Sequence, residues 1–277
     1  MDLNAEDLID ALRAKAYAFP PDESGMYLVS YDDDALCEEH RVKSENINQR
    51  FISMDVPESS PAAYLCDENI RWLYCLDENH SLIRYKYDFA EASWDQVPIP
   101  DRAPVAVHVS SHIGGCVESS NCHDIFFQNP SGQLQGVTSA GETSFQPLLP
   151  IPFPSKPGSP IYAAYRNNVL YVWYLDPGNH MHCLTRTAKD ADWQDTEVSG
   201  AAFGDTEITN FMSLFDESDL IQIIVVSANG MVFMVNPYGK LAHLGTVTNG
   251  QYKPVSGAEN IYQLAAKIHG TFKPKTK

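Results

Sequence analysis

The chain has 277 residues, 44% of them hydrophobic and 11% aromatic, which is enough apolar material for a packed core. Its 36 acidic residues outnumber 19 basic ones, for a formal charge of −17. Such a surface repels phosphate backbones and anionic lipid heads, so neither nucleic acid nor a membrane is an expected partner. The longest apolar runs, such as Leu220 to Val226, are too short to span a bilayer. No stretch of residues 1–20 has the layout of a secretory signal, which makes the cytoplasm the expected location.

In chain order, the first element expected is a helix over Asn4–Ala16. Asn4 can cap it, apolar residues fall at 5, 8, 9, 12 and 16, and acids precede bases. Pro20 and Pro21 end it, and residues 1–22 form a lead-in. Strand-turn-strand segments then recur at Met26–Val42, Ile70–Asp88, Asp124–Ser139, Val169–Arg186 and Leu220–Asn236. Each carries Asn, Asp, Gly, Pro or Ser at its turn, the chemistry of a hairpin. Turn residues Asp33, Asp77, Asn129, Asp176 and Ser227 lie 44, 52, 47 and 51 residues apart, the period of propeller blades built from short strands.

Small-residue apolar strands precede four of the hairpins, at Ser60–Cys66, Ala103–Ser110, Ser159–Tyr165 and Glu207–Leu214. Small side chains suit the innermost strand of a blade, where strands crowd the axis. A fifth such strand, Glu259–Ile268, has no hairpin after it, and the first hairpin has no such strand before it. The sequence therefore predicts an all-β, five-bladed β-propeller with a short N-terminal helix, closed when the C-terminal strand completes blade 1. Six blades are the alternative. One domain spans 1–277, with the propeller over 23–270 and a basic tail over 271–277. The proline-rich loop 148–160 is expected to join two blades. The six cysteines form no C-x-x-C pair and are expected as free thiols, although Cys116 and Cys122 could bridge in an oxidising compartment.

The run Ile70-Arg71-Trp72-Leu73-Tyr74 with Asp77, together with the S-P-A-A-Y and S-P-I-Y-A-A-Y inner strands, resembles the fungal fucose-specific lectin family. The likeness covers about 240 residues of the chain. It implies a six-bladed scaffold that binds fucose between blades, through an arginine on the second strand, a glutamate on the third and a nearby aromatic. Trp72, Asp124, Tyr171 and Gln222 occupy the arginine position, and Arg84, Gly136, Cys183 and Met234 the glutamate position. Glu38 alone matches the acid. Arg71 stands one residue from the expected arginine and, by strand alternation, faces the other way.

Because these positions differ from blade to blade, the sequence points to one unique pocket rather than a repeated sugar site. The expected activity is that of a cofactor-free cyclase or pericyclase, of the Diels-Alderase kind found in fungal natural product biosynthesis. The alternative is a lectin of altered glycan specificity. A cyclase needs an apolar cavity that holds its substrate near the reacting geometry and a few donors at a developing charge. Arg84, Glu38 and Asp124 are the candidate catalytic groups. Trp72, Tyr171, Tyr64, His108, Tyr162 and Gln222 are the candidate ligand contacts, with Tyr64, His108 and Tyr162 expected at the channel. His180 and His182 are read as turn-edge histidines, so neither metal nor cofactor is expected. The partner is a small-molecule substrate or a glycan, and the protein a monomer or homodimer.

Overall fold

A computed structural model describes residues 5–20, 25–42, 45–100, 104–119, 122–215, 221–236 and 239–255. It shows one short helix and five antiparallel sheets arranged as propeller blades. Helix α1 (Ala5–Arg13) leads directly into β1 (Ala16–Ala18). Blade 1 joins β1 to β2 (Met26–Asp32), β3 (Ala35–Val42) and β4 (Glu45–Ser53). Blade 2 contains β5 (Ala62–Asp67), β6 (Ile70–Leu76), β7 (Leu82–Asp88) and β8 (Ser93–Gln96). Blade 3 contains β9 (Gly114–Ser119), β10 (Cys122–Gln128), β11 (Leu134–Ala140) and β12 (Ser144–Pro147). Blade 4 contains β13 (Tyr162–Arg166), β14 (Val169–Leu175), β15 (His180–Arg186) and β16 (Gln194–Ala202). Blade 5 adds a fifth strand to the pattern, running β17 (Ile208–Phe215), β18 (Ile221–Ser227), β19 (Met231–Val235), β20 (Leu241–Thr248) and β21 (Gln251–Pro254).

The repeat has a polar skeleton as well as an apolar one. Asp77, Asn129 and Asp176 each turn a hairpin by accepting backbone N–H groups on the side-chain oxygen, from Ser81, Gln133 and His180 among others. Ser60, Ser111 and Ser159 stand just before an inner strand. Their hydroxyls accept the N–H groups of Leu76, Gln128 and Leu175 at 2.7–2.8 Å. Alternate residues of each middle strand face opposite neighbours. Leu73 and Cys75 pack toward blade 1, whereas Trp72, Tyr74 and Leu76 pack toward blade 3.

One expectation about the inner strands changes. The serine pattern places blade 3's inner strand at Gly114–Ser119, after Ser111, and not at Ala103–Ser110. Of the latter segment, residues 104–110 form no strand: Ala106 bridges Ser81, and the His108 N–H donates to the Gln128 carbonyl of β10. Gly114 and Gly115 explain the choice. A Cβ on Gly114 would come within 2.8 Å of the Ile161 backbone, so only glycine allows the close approach between blades 3 and 4. The segment Glu259–Ile268, expected to close blade 1, lies outside the described residues. The place beside β2 is held by β1, which pairs Ala16 with Val29 and Ala18 with Tyr27. Ala16 and Ala18 supply the small side chains that this position requires.

Helix α1 fills the seam between blades 5 and 1. Leu8, Ile9, Ala11 and Leu12 bury their apolar face against Met26 and Leu28 of blade 1 and Met212, Leu214 and Ile224 of blade 5. Each large side chain so buried contributes about 1.5–3 kcal/mol. The helix end is capped from blade 5, where Asn210 Nδ2 donates to the Leu12 carbonyl at 2.9 Å. Asp10 meets Arg41 of blade 1 at 2.6 Å.

Candidate functional site

Strand alternation distributes the candidate residues over several blade boundaries. Glu38 faces blade 2 from β3, and Tyr64 reaches it from β5. Trp72 and Arg84 face blade 3, Asp124 faces blade 4, and Tyr171 faces blade 5. The three candidate catalytic groups, Arg84, Glu38 and Asp124, therefore stand in three different clefts, and no single pocket collects them.

Between blades 1 and 2, fully buried Glu38 accepts from the Tyr64 hydroxyl at 2.5 Å and from Arg71. Arg50 approaches its second oxygen at 3.3 Å. Arg71 also donates to the Tyr64 oxygen at 2.7 Å, and its guanidinium lies 3.8 Å over the Tyr87 ring and 4.2 Å over that of Tyr27. Burial opposes the charge on Arg71, but Tyr64 and Glu38 outweigh it and push its pKa above the ordinary value. Burial, then Glu38, pushes the Tyr64 hydroxyl well up. Arg71 does point away from the family's arginine face, and for that reason it meets a glutamate on the neighbouring blade. The pair absent within each blade is made across two.

Between blades 2 and 3, buried Arg84 donates to Ser139 Oγ at 3.0 Å and to the Pro98 and Glu142 carbonyls at 2.8 and 2.5 Å. It stacks 5.0 Å over Trp72. Those bonds make it an interblade brace. Beside it, the Tyr74 hydroxyl meets His123 Nε2. Burial, aided by Arg84, depresses the His123 pKa to about 4, and burial raises Tyr74 to about 12. Between blades 3 and 4, Asp124 and Arg186 are both buried and stand 3.8 Å apart. Burial raises the Asp124 pKa, against the opposing pull of Thr138 and Arg186.

The inner strands and the end of α1 line an open axial cavity of about 720 Å³, within the range of small-molecule sites. Tyr64 and Tyr162 are among its lining residues, and the Tyr64 hydroxyl turns into the cleft toward Glu38. Other walls come from Tyr17, Tyr165, Ser111 and Asn210, with Arg13 and Lys15 at the helix end. No Asp or Glu lines it among the described residues, although the chain as a whole carries an excess of acids. The buried Tyr17 hydroxyl faces that of Tyr162. Burial pushes the Tyr17 hydroxyl well above its ordinary pKa and the Tyr162 hydroxyl to about 12, so both stay protonated donors at neutral pH.

The remaining candidates lie elsewhere. His108 is outside the cavity wall, where its Nδ1 faces the Ser110 hydroxyl at 2.9 Å. Tyr171 stacks on Trp173, with ring centroids 5.6 Å apart. Gln222 is half-buried on β18, opposite Leu214. Sequence reasoning missed the cavity role of Tyr17, because the strand that carries it is three residues long and follows a helix. It also missed Arg186, whose partner Asp124 is 62 positions away in another blade.

These features define a fold, the five-bladed β-propeller, which resembles solved propellers that include fungal lectins. AofleA from Arthrobotrys oligospora superposes with a TM-score of 0.65 at 15% identity, over 87% of this chain and 73% of its own. The six-bladed lectin of Aleuria aurantia gives 0.59 at 13% identity, over 85% and 78%. The SapL1 lectin, solved with alpha methyl fucoside, gives 0.62 at 12% identity, over 86% and 81%. No family model matches the sequence, and no curated protein matches it. At these identities the likeness establishes the fold alone. Among the described residues no helix is long and apolar enough to cross a membrane.

Proposed function

We propose that this protein is a carbohydrate-binding propeller of the lectin type, with its ligand in the axial cavity rather than in repeated clefts between blades. The observation that carries this reading is the cavity wall. It combines a small-ligand volume, the tyrosines Tyr17, Tyr162 and Tyr165, and no carboxylate among the described lining residues. Sugars are recognised by convergent hydroxyl and amide groups together with aromatic faces, and this wall offers both. The blade clefts are poorer sites, because Glu38 and Arg71 already satisfy each other away from solvent. Several solved propellers of this fold are lectins, and two of those described above are named with fucose or a fucoside.

A glycan array followed by saturation-transfer NMR tests the reading. Binding should be lost or weakened at least tenfold in Tyr162→Phe and should be insensitive to Asp124→Asn. Binding to no glycan at millimolar concentration, or binding that Asp124→Asn abolishes and Tyr162→Phe leaves intact, refutes it.

A further inference from the structure

The cleft between blades 3 and 4 holds a second constellation, distinct from the axial cavity. Glu118 on β9 and Cys122 and Asp124 on β10 each offer one ligand atom, all within 4.8 Å of one another. Cys122 Sγ lies 3.1 Å from Glu118 Oε2. Lys189, arriving from blade 4, places its Nζ 2.9 Å from that sulfur and 3.0 Å from the same carboxylate. Asp124 is only 2% exposed, and its Oδ1 has no hydrogen-bond partner. Its Oδ2 stands 3.8 Å from Arg186. Cys116, Thr138 and Tyr165 complete the surroundings.

A lysine alone does not complete this cluster. Its single ammonium reaches Glu118 and Cys122 but makes no ion pair with Asp124, leaving a buried carboxylate oxygen unsatisfied. A buried acceptor without a partner costs about 1–3 kcal/mol, so a group that reaches all three donors has a clear advantage. Lys189 is also half-exposed, so its side chain can swing into solvent and open the position it holds.

We propose that Glu118, Cys122 and Asp124 form a binding site for a borderline-soft divalent cation of the zinc class, which enters by displacing the Lys189 ammonium. One thiol and two carboxylates suit zinc, whereas calcium and magnesium take oxygen donors. The exchange balances without redox chemistry. The metal bonds to sulfur, the thiol proton passes to solvent, and the lysine ammonium leaves. Two positive charges enter as two depart, so the buried cleft keeps its net charge. All three ligands belong to blade 3, and the place vacated by lysine remains for a water.

The test is a titration of the full-length, reduced protein with Co²⁺, then with Zn²⁺. A thiolate-to-cobalt charge-transfer band in the near ultraviolet is expected, and Zn²⁺ should bleach it at one equivalent. Cys122→Ser should abolish the band, while Cys66→Ser and Cys183→Ser retain it. Glu118→Gln should weaken binding about tenfold or more, and Lys189→Met, which removes the competing ammonium, should tighten it. Circular dichroism of each variant separates loss of the site from loss of the fold. Absence of a band, its survival in folded Cys122→Ser, or weaker binding in Lys189→Met overturns the proposal.

Discussion

The clefts on either side of blades 2 and 3 use the same ingredients to opposite ends. Between blades 1 and 2, a buried acid and a buried arginine meet directly, and a tyrosine hydroxyl and aromatic faces occupy what remains of their bonding capacity. Between blades 3 and 4, a buried acid and a buried arginine stand 3.8 Å apart, and one carboxylate oxygen is left over. The first cleft is a finished joint. The second holds unspent polar capacity beside a thiol and a half-exposed lysine, which is where further chemistry has room. A charged pair at a blade boundary is therefore evidence of a site only when its valences are incomplete.

The largest expected effect comes from opening the finished joint. Arg71→Ala leaves Glu38 buried with its principal countercharge gone, which should cost about 3–5 kcal/mol in urea unfolding. Arg186→Ala should cost about 1–3 kcal/mol, because it removes a looser contact. Equal losses in the two variants would break the comparison.

The cleft between blades 2 and 3 supplies an intermediate case that is sensitive to pH. His123 has a native pKa of about 4 against about 6.5 unfolded. Between those values the unfolded chain binds more protons, so stability is complete above pH 6.5 and falls as the pH drops toward 4. The loss should approach roughly 3 kcal/mol and then level off. Denaturation midpoints across that window, flattened in His123→Gln, measure it. The smallest effect is expected at the second cleft's rim. Lys189→Met removes a half-exposed ion pair and should change stability by less than about 1 kcal/mol. A larger change would make Lys189 as structural as Arg71.

Much of the ring was legible because it is local. The hairpin turns at Asp77, Asn129 and Asp176 are written in side chains that bond their own backbone. The alternation of Leu73 and Cys75 against Trp72 and Tyr74 follows from the pleat. Blade 3's inner strand was misplaced because Ala103–Ser110 has the right composition. Only the repeated serine-to-backbone bond identifies the true one. Strand β1 was not legible, because Ala16-Tyr17-Ala18 is too short to show a strand pattern beside a helix. In the candidate sites, inner-strand alternation singled out Tyr64 without showing that its hydroxyl meets Glu38, and the same rule discounted Arg71. The rule gave its direction correctly and could not say what waited there.

The sequence by itself determined five copies of a hairpin, their period and the faces of their strands, because turns and pleats are fixed by neighbours a few residues apart. Tertiary structure alone decided which side chains share a cleft, how α1 fills the seam and what lines the axis. Those contacts join residues tens to hundreds of positions apart, as Leu12 and Asn210 show, and only closing the ring brings them together.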